Sequence, residues 1–147
     1  MKVKSPHDVH VVLSPKVYEG EERQKDLIEI VIGGWGNSES VIRRGNQGQE
    51  LGNAQTPNIL SNDEFREFWI VTKMVEEDKL EISFGRVGQA IPLMIGVDEN
   101  PVKFEYLGLG SWANTEAFYK NVRTGKRENW KMTNKLIIKE NFSPHRF

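Results

Sequence analysis

Ile30-Val31-Ile32-Gly33-Gly34-Trp35-Gly36-Asn37-Ser38-Glu39-Ser40-Val41-Ile42-Arg43-Arg44-Gly45 carries an apolar run into a glycine-rich turn and out again into a second extended run. Branched residues fit a pleated strand, and the glycines at 33, 34 and 36 supply the backbone freedom that a tight reversal needs. Strands joined this closely pair antiparallel, whereas parallel pairing requires a long crossover. The same stretch gathers an indole, a carboxamide and two guanidinium groups, so it also nominates a binding surface.

Outward from this block the periodicity remains that of strands. Leu80 to Phe84 and Val102 to Tyr106 alternate apolar and polar residues, which places one face in a core and the other in water. Val9 to Leu13, Leu27 to Ile32, Ser40 to Arg44, Phe65 to Lys73, Ile91 to Val97 and Leu136 to Lys139 are further candidates, separated by Gly, Pro, Asn and Asp. The continuous apolar run Phe68-Trp69-Ile70-Val71 predicts burial on both faces, with Trp69 in the core. Only Ser61-Asn62-Asp63-Glu64-Phe65 reads as a helical turn, because Ser61 and Glu64 have the spacing of a capping box. The Gly-, Asn- and Gln-rich segment from Gly45 to Asn58 is expected to be a long polar loop. The expected fold is therefore all-β: an antiparallel β-sandwich, jelly-roll-like, with long polar loops and at most one short helical turn.

The chain has 147 residues, enough for one core. Residues 1–112 are expected to form the sandwich core. Residues 113–147 are expected to complete it with a hairpin turning near Thr124-Gly125-Lys126, a last strand over Leu136-Ile137-Ile138 and a frayed end. A net charge of -1 provides no field to gather nucleic acid or a membrane surface, and neither is an expected partner. Cysteine is absent, which removes disulfides and thiolate chemistry. The N-terminal residues lack the apolar core of a signal peptide, so the chain reads as soluble, and a segment of a longer secreted polypeptide fits equally. The sequon at Asn141 is followed by Pro144 and carries little weight.

Catalytic constellations are sparse. His7, His10 and His145 lack metal-ligand spacing and are expected at solvated or edge positions. Asp63/Glu64, Glu76/Glu77 and Asp98/Glu99 fall in expected turns, where acids solvate and cap; Asp98-Glu99-Asn100 lacks the spacing of a calcium loop. A nucleotide-type cofactor cradle needs a glycine turn opening a helix, yet Ser40-Val41-Ile42-Arg43 reads as a strand, and Gly85-Arg86-Val87-Gly88 is flanked by strands too. No cofactor, no metal and no catalytic residue is assigned.

The Gly-Gly-Trp-Gly-Asn turn at 33 to 37 and Ser40-Val41-Ile42-Arg43-Arg44-Gly45 are followed in order by Thr56-Pro57, Leu60-Ser61 and Phe68-Trp69-Ile70. Beyond these come Ile82-Ser83-Phe84-Gly85, Gly88, Pro92-Leu93-Met94 and Tyr106-Leu107-Gly108. Together these pieces resemble the farnesoic acid O-methyltransferase-like domain across roughly Val9 to Trp112. The resemblance implies a β-sandwich module found in arthropod proteins and within larger extracellular and innate-immune-type polypeptides. The family name implies methyl transfer from S-adenosylmethionine to the carboxylate of farnesoic acid.

Recognition is better supplied than catalysis. Trp35, Asn37, Arg43, Arg44, Asn46 and Gln47 cluster around one turn, offering a flat apolar ring beside planar hydrogen-bonding groups. Adjacent strand residues point to opposite faces, so only one of Arg43 and Arg44 can line a given site. The expected function is a noncatalytic module that binds a glycan or a protein surface. The alternatives are the enzyme of the family name and a ligand-free interaction or spacer module. Trp35 reads equally as core or as platform, and exposed sheet edges admit self-association.

Overall fold

Val9, Val11, Ile28, Ile30, Ile32 and Ile42 recur at every second position of their strands and pack with Phe68, Ile82 and Phe84 into one apolar cluster, while Val12, Val31 and Val41, which alternate with them, are buried on the other face. That period of two puts the cluster on one face of each sheet, and the two faces close against each other. The computed structural model describes residues 1–18 and 24–125 and the backbone of residues 136–138. Among these, strands β1 (Lys2–Lys4), β6 (Arg66–Glu76), β7 (Lys79–Arg86), β8 (Met94–Asp98) and β10 (Phe118–Lys120) form one sheet in the order β10-β1-β6-β7-β8. The second contains β2 (Val9–Ser14), β3 (Ile28–Gly33), β4 (Glu39–Arg44), β5 (Gln49–Gln55), β9 (Tyr106–Ser111) and β11 (Leu136–Ile138), ordered β11-β9-β2-β3-β4-β5. Neighbours are antiparallel throughout, except that β11 runs parallel to β9. The fold is the expected all-β sandwich. No helix among the described residues is long and apolar enough to cross a membrane.

Several local expectations are corrected. The polar loop expected from Gly45 to Asn58 is a tight turn at 45–48 followed by edge strand β5. Its polar residues hide the strand period because they face water at the sheet margin. Val102 to Tyr106 is not a strand; pairing begins at Tyr106, while Phe104 packs on the core from an irregular approach. Ser61 Oγ accepts hydrogen bonds from Asp63 N (3.1 Å) and Glu64 N (3.2 Å), but the chain enters β6 at once and no helix follows. Trp69 is an outer-face residue, not core. Its ring lies across Gly85, its cross-strand partner, and Nε1 donates to Arg86 O at 2.9 Å. Strand β1 escaped the sequence reading, although Val3 is fully buried. The turn expected at Thr124-Gly125-Lys126 lies partly outside the described residues, and the tail with its sequon and His145 lies wholly outside them.

The sheets meet most closely where β5 approaches β8. A Cβ added at Gly52 would stand 2.2 Å from the carbonyl oxygen of Ile95. That neighbour is backbone and cannot swing away, so Gly52→Ala is expected to cost about 1–3 kcal/mol through overpacking. The shift of the urea midpoint measures it.

Candidate functional site

Between β3 and β4 the chain reverses through left-handed backbone. Gly33 (φ 61), Trp35 (φ 50), Gly36 (φ 69) and Asn37 (φ 65) all have positive φ, and Ser38 N closes the turn on Gly34 O at 3.0 Å. Glycine adopts this region freely, but a tryptophan there costs about 1 kcal/mol or more. The cost is carried by surrounding hydrogen bonds. Asn37 Nδ2 donates to Leu60 O and its Oδ1 accepts from Leu60 N, both at 3.0 Å, while Asn58 N donates to Asn37 O at 2.8 Å. Gly33 N donates to Ser40 Oγ at 3.1 Å, and that hydroxyl also meets Thr56 Oγ1 at 2.7 Å. Asn37 is thus a fastening of the turn.

What the turn holds outward is Trp35, 56% exposed. The Arg43 guanidinium carbon lies 5.3 Å from its ring centroid, within cation–π range. Arg43 stands opposite Glu29 in the β3–β4 register, on the outer face of the six-stranded sheet, and Nη1 is 3.6 Å from Glu29 Oε2. Glu29 is only 3% exposed. Its carboxylate also accepts from Gln47 N at 3.0 Å and meets His10 Nδ1 at 3.2 Å. The His10 ring stacks on Trp112, with centroids 6.1 Å apart. One continuous strip results: Trp112, His10, Glu29, Arg43, Trp35. The two tryptophan-bearing turns are also joined through Asp8, whose N donates to Gly33 O at 2.8 Å and whose O accepts from Trp112 N at 3.0 Å.

Burial pushes the Glu29 carboxyl upward. The His10 hydrogen bond and charge, the Gln47 N–H and the Arg43 guanidinium together outweigh burial and hold it below the ordinary 4.5. A carboxylate kept ionised inside a protein needs this many partners, and each of them is fixed in place by serving it.

The structure divides the sequence-nominated residues. Trp35 and Arg43 come together on the outer face. Arg44, one residue on, points the other way, where Nη1 pairs with the buried Asp98 carboxylate of the opposite sheet and Nε donates to Lys25 O at 3.0 Å. Asp98 is therefore no solvated turn acid, and its other oxygen accepts from Asn100 N at 3.1 Å. Asn46 N donates to Gln24 O at 2.9 Å, and Asn46 Oδ1 is buried with no hydrogen-bond partner among the described residues. Gln47 contributes its backbone to Glu29. His10, expected at a solvated or edge position, is instead buried in the strip on β2, an interior strand of its sheet. Neither it nor Glu29 was nominated, although each is a lone polar residue in an apolar strand, at Val9-His10-Val11 and Ile28-Glu29-Ile30.

Over residues 1–124 the chain matches the family described as farnesoic acid O-methyl transferase. The chain belongs to this family. Neither a curated protein nor a solved structure matches it. Within the matched region the Gly-Gly-Trp-Gly-Asn stretch at 33 to 37 is the left-handed turn, and it leads into strand β4.

Two stability experiments separate the strip from the inter-sheet pair. A lowered folded-state pKa means that Glu29 contributes fully above about pH 4.5 and that its contribution is lost as the pH falls through the lowered value. Urea midpoints measured down this range should fall for the wild type, and the Glu29-dependent part of that fall should vanish in Glu29→Gln. Arg44→Ala strands the Asp98 carboxylate, so calorimetric unfolding should show a loss of about 3–5 kcal/mol.

Proposed function

We propose that this domain is a noncatalytic recognition module that binds a glycan on the outer face of the six-stranded sheet, with Trp35 as the stacking platform. The carrying observation is that the fold keeps a half-exposed tryptophan in a strained left-handed conformation, against the guanidinium of Arg43. A platform of this kind suits the apolar C–H face of a pyranose ring, while Arg43 offers donors to the hydroxyl fringe. The ion pair to Glu29 holds the guanidinium in place, so little rotamer freedom is left to lose on binding. Trp112, 38% exposed at the far end of the strip, extends the aromatic surface toward a second sugar.

The family description favours a second reading, methyl transfer to farnesoic acid. That reading requires saturable binding of both S-adenosylmethionine and farnesoic acid, which calorimetry reads directly. The passage from the glycine turn straight into β4 supports recognition over a cofactor cradle.

On a glycan array the wild type should give a defined set of signals, and Trp35→Ala should lose them at least tenfold while its far-ultraviolet circular dichroism stays unchanged. Equal signals in both proteins, or an array without signal, would remove the glycan reading. A protein partner captured in a Trp35-dependent way would move the ligand class from sugar to polypeptide.

A further inference from the structure

Arg66 and Arg86 lie at one end of the five-stranded sheet, on its core-facing side. Arg86 stands opposite Phe68 in the β6–β7 register, Phe68 is fully buried, and Arg66 is two residues before it on the same face. Residues so placed are diagonal neighbours, about 7–8 Å apart. Two cations this close on the inner side of a sandwich repel each other unless something negative answers them.

The acids nearby do not suffice. Arg66 Nη2 takes Glu64 Oε1 at 2.7 Å, and Lys2 Nζ is 3.6 Å from Glu67 Oε2. Arg86 has no ion pair among the described residues, and the Nε–H groups of both Arg66 and Arg86 are buried without a hydrogen-bond partner among them. A buried, unanswered N–H costs about 1–3 kcal/mol, more on a charged group. Beside the two arginines is a cavity of about 260 Å³, walled also by Phe65, Phe68 and Val87 and by the acids Glu64 and Glu67. Two further cations lie against the Phe65 ring. Lys4 Nζ is 5.7 Å and Lys120 Nζ 4.4 Å from the Phe65 ring centroid. Lys2 and Lys4 flank the buried Val3, which stands opposite Arg66, and Lys120 stands opposite Lys2, so these lysines belong to the outer face of the sheet and only the two arginines bring positive charge to the cavity wall.

The geometry points to a second ligand site, independent of the Trp35 face: the cavity between Arg66 and Arg86 takes a tetrahedral oxyanion, a phosphate or sulfate group. An arginine presents Nε–H and one Nη–H as parallel donors, a fork that matches two oxygens of such a group. Small rotations of the two guanidinium groups bring their buried Nε–H donors onto the oxyanion. Phe65 and Val87 provide an apolar rest for whatever carries the group.

The test is a titration of the ¹⁵N-labelled protein with inorganic sulfate and inorganic phosphate at constant ionic strength, following the arginine Nε–H resonances. Arg66→Gln and Arg86→Gln assign the signals. Both resonances should shift saturably in the millimolar range, acetate should bind at least tenfold more weakly, and Arg86→Gln should weaken sulfate at least tenfold. Tighter binding of phenyl phosphate than of phosphate assigns the site to an ester resting on Phe65; equal binding assigns it to the free ion. Shifts that do not saturate, that acetate reproduces at equal concentration, or that survive in Arg86→Gln overturn the site. Should Arg86→Gln fail to fold, saturation and the acetate comparison on the wild type decide alone.

Discussion

The six-stranded sheet turns on a reversal through left-handed residues that side-chain hydrogen bonds hold in place. Asn37 imitates a strand neighbour for Leu60, giving and receiving one hydrogen bond, and Ser40 occupies the amide of Gly33. These bonds set the β3–β4 register, bring the 56–60 segment against the turn and, through Asp8, align the start of β2. Register matters here because a slip of one residue would send Glu29 and Arg43 into the core and Ile28, Ile30 and Ile42 into water. The strained Trp35 backbone persists because so many bonds over-determine the turn around it.

Charge organises the two faces of this sheet differently. On the outer face Glu29 gathers His10, Arg43 and the amide of Gln47, and the resulting strip ends in an aromatic ring on each side. On the inner face Arg44 crosses to Asp98 and locks β4 to the opposite sheet, where Gly52 lets β5 come up to β8. Adjacent arginines therefore have unlike roles. One lies against the Trp35 ring, and the other holds the sandwich closed.

Much of the fold was legible because a half-buried strand imprints a period of two on its residues. Leu80 to Phe84 and the run into Gly33 carried that imprint openly. Strand β5 did not, since at the sheet edge Gln49, Glu50, Asn53 and Gln55 face water and only Leu51 and Ala54 pack toward the core. Trp69 misled for the opposite reason. Its apolar run suggested burial on two faces, but the indole covers a glycine on the outside, where a missing Cβ leaves room for a ring. Within the site, the turn and the opposed directions of Arg43 and Arg44 followed from local pattern. The partners His10 and Glu29 did not, because they are 19 residues apart and meet only through strand pairing.

Sequence alone determined the class of fold and the position of the tight reversal, since strand periodicity and glycine's backbone freedom act over neighbouring residues. Tertiary structure decided which charges are paired and which are left over. Glu29 found three partners, Asp98 found Arg44, and Arg86 found none among the described residues. Such pairings depend on distances across sheets and between distant strands, and a buried charge is stabilised or stranded by those distances rather than by its neighbours in the chain.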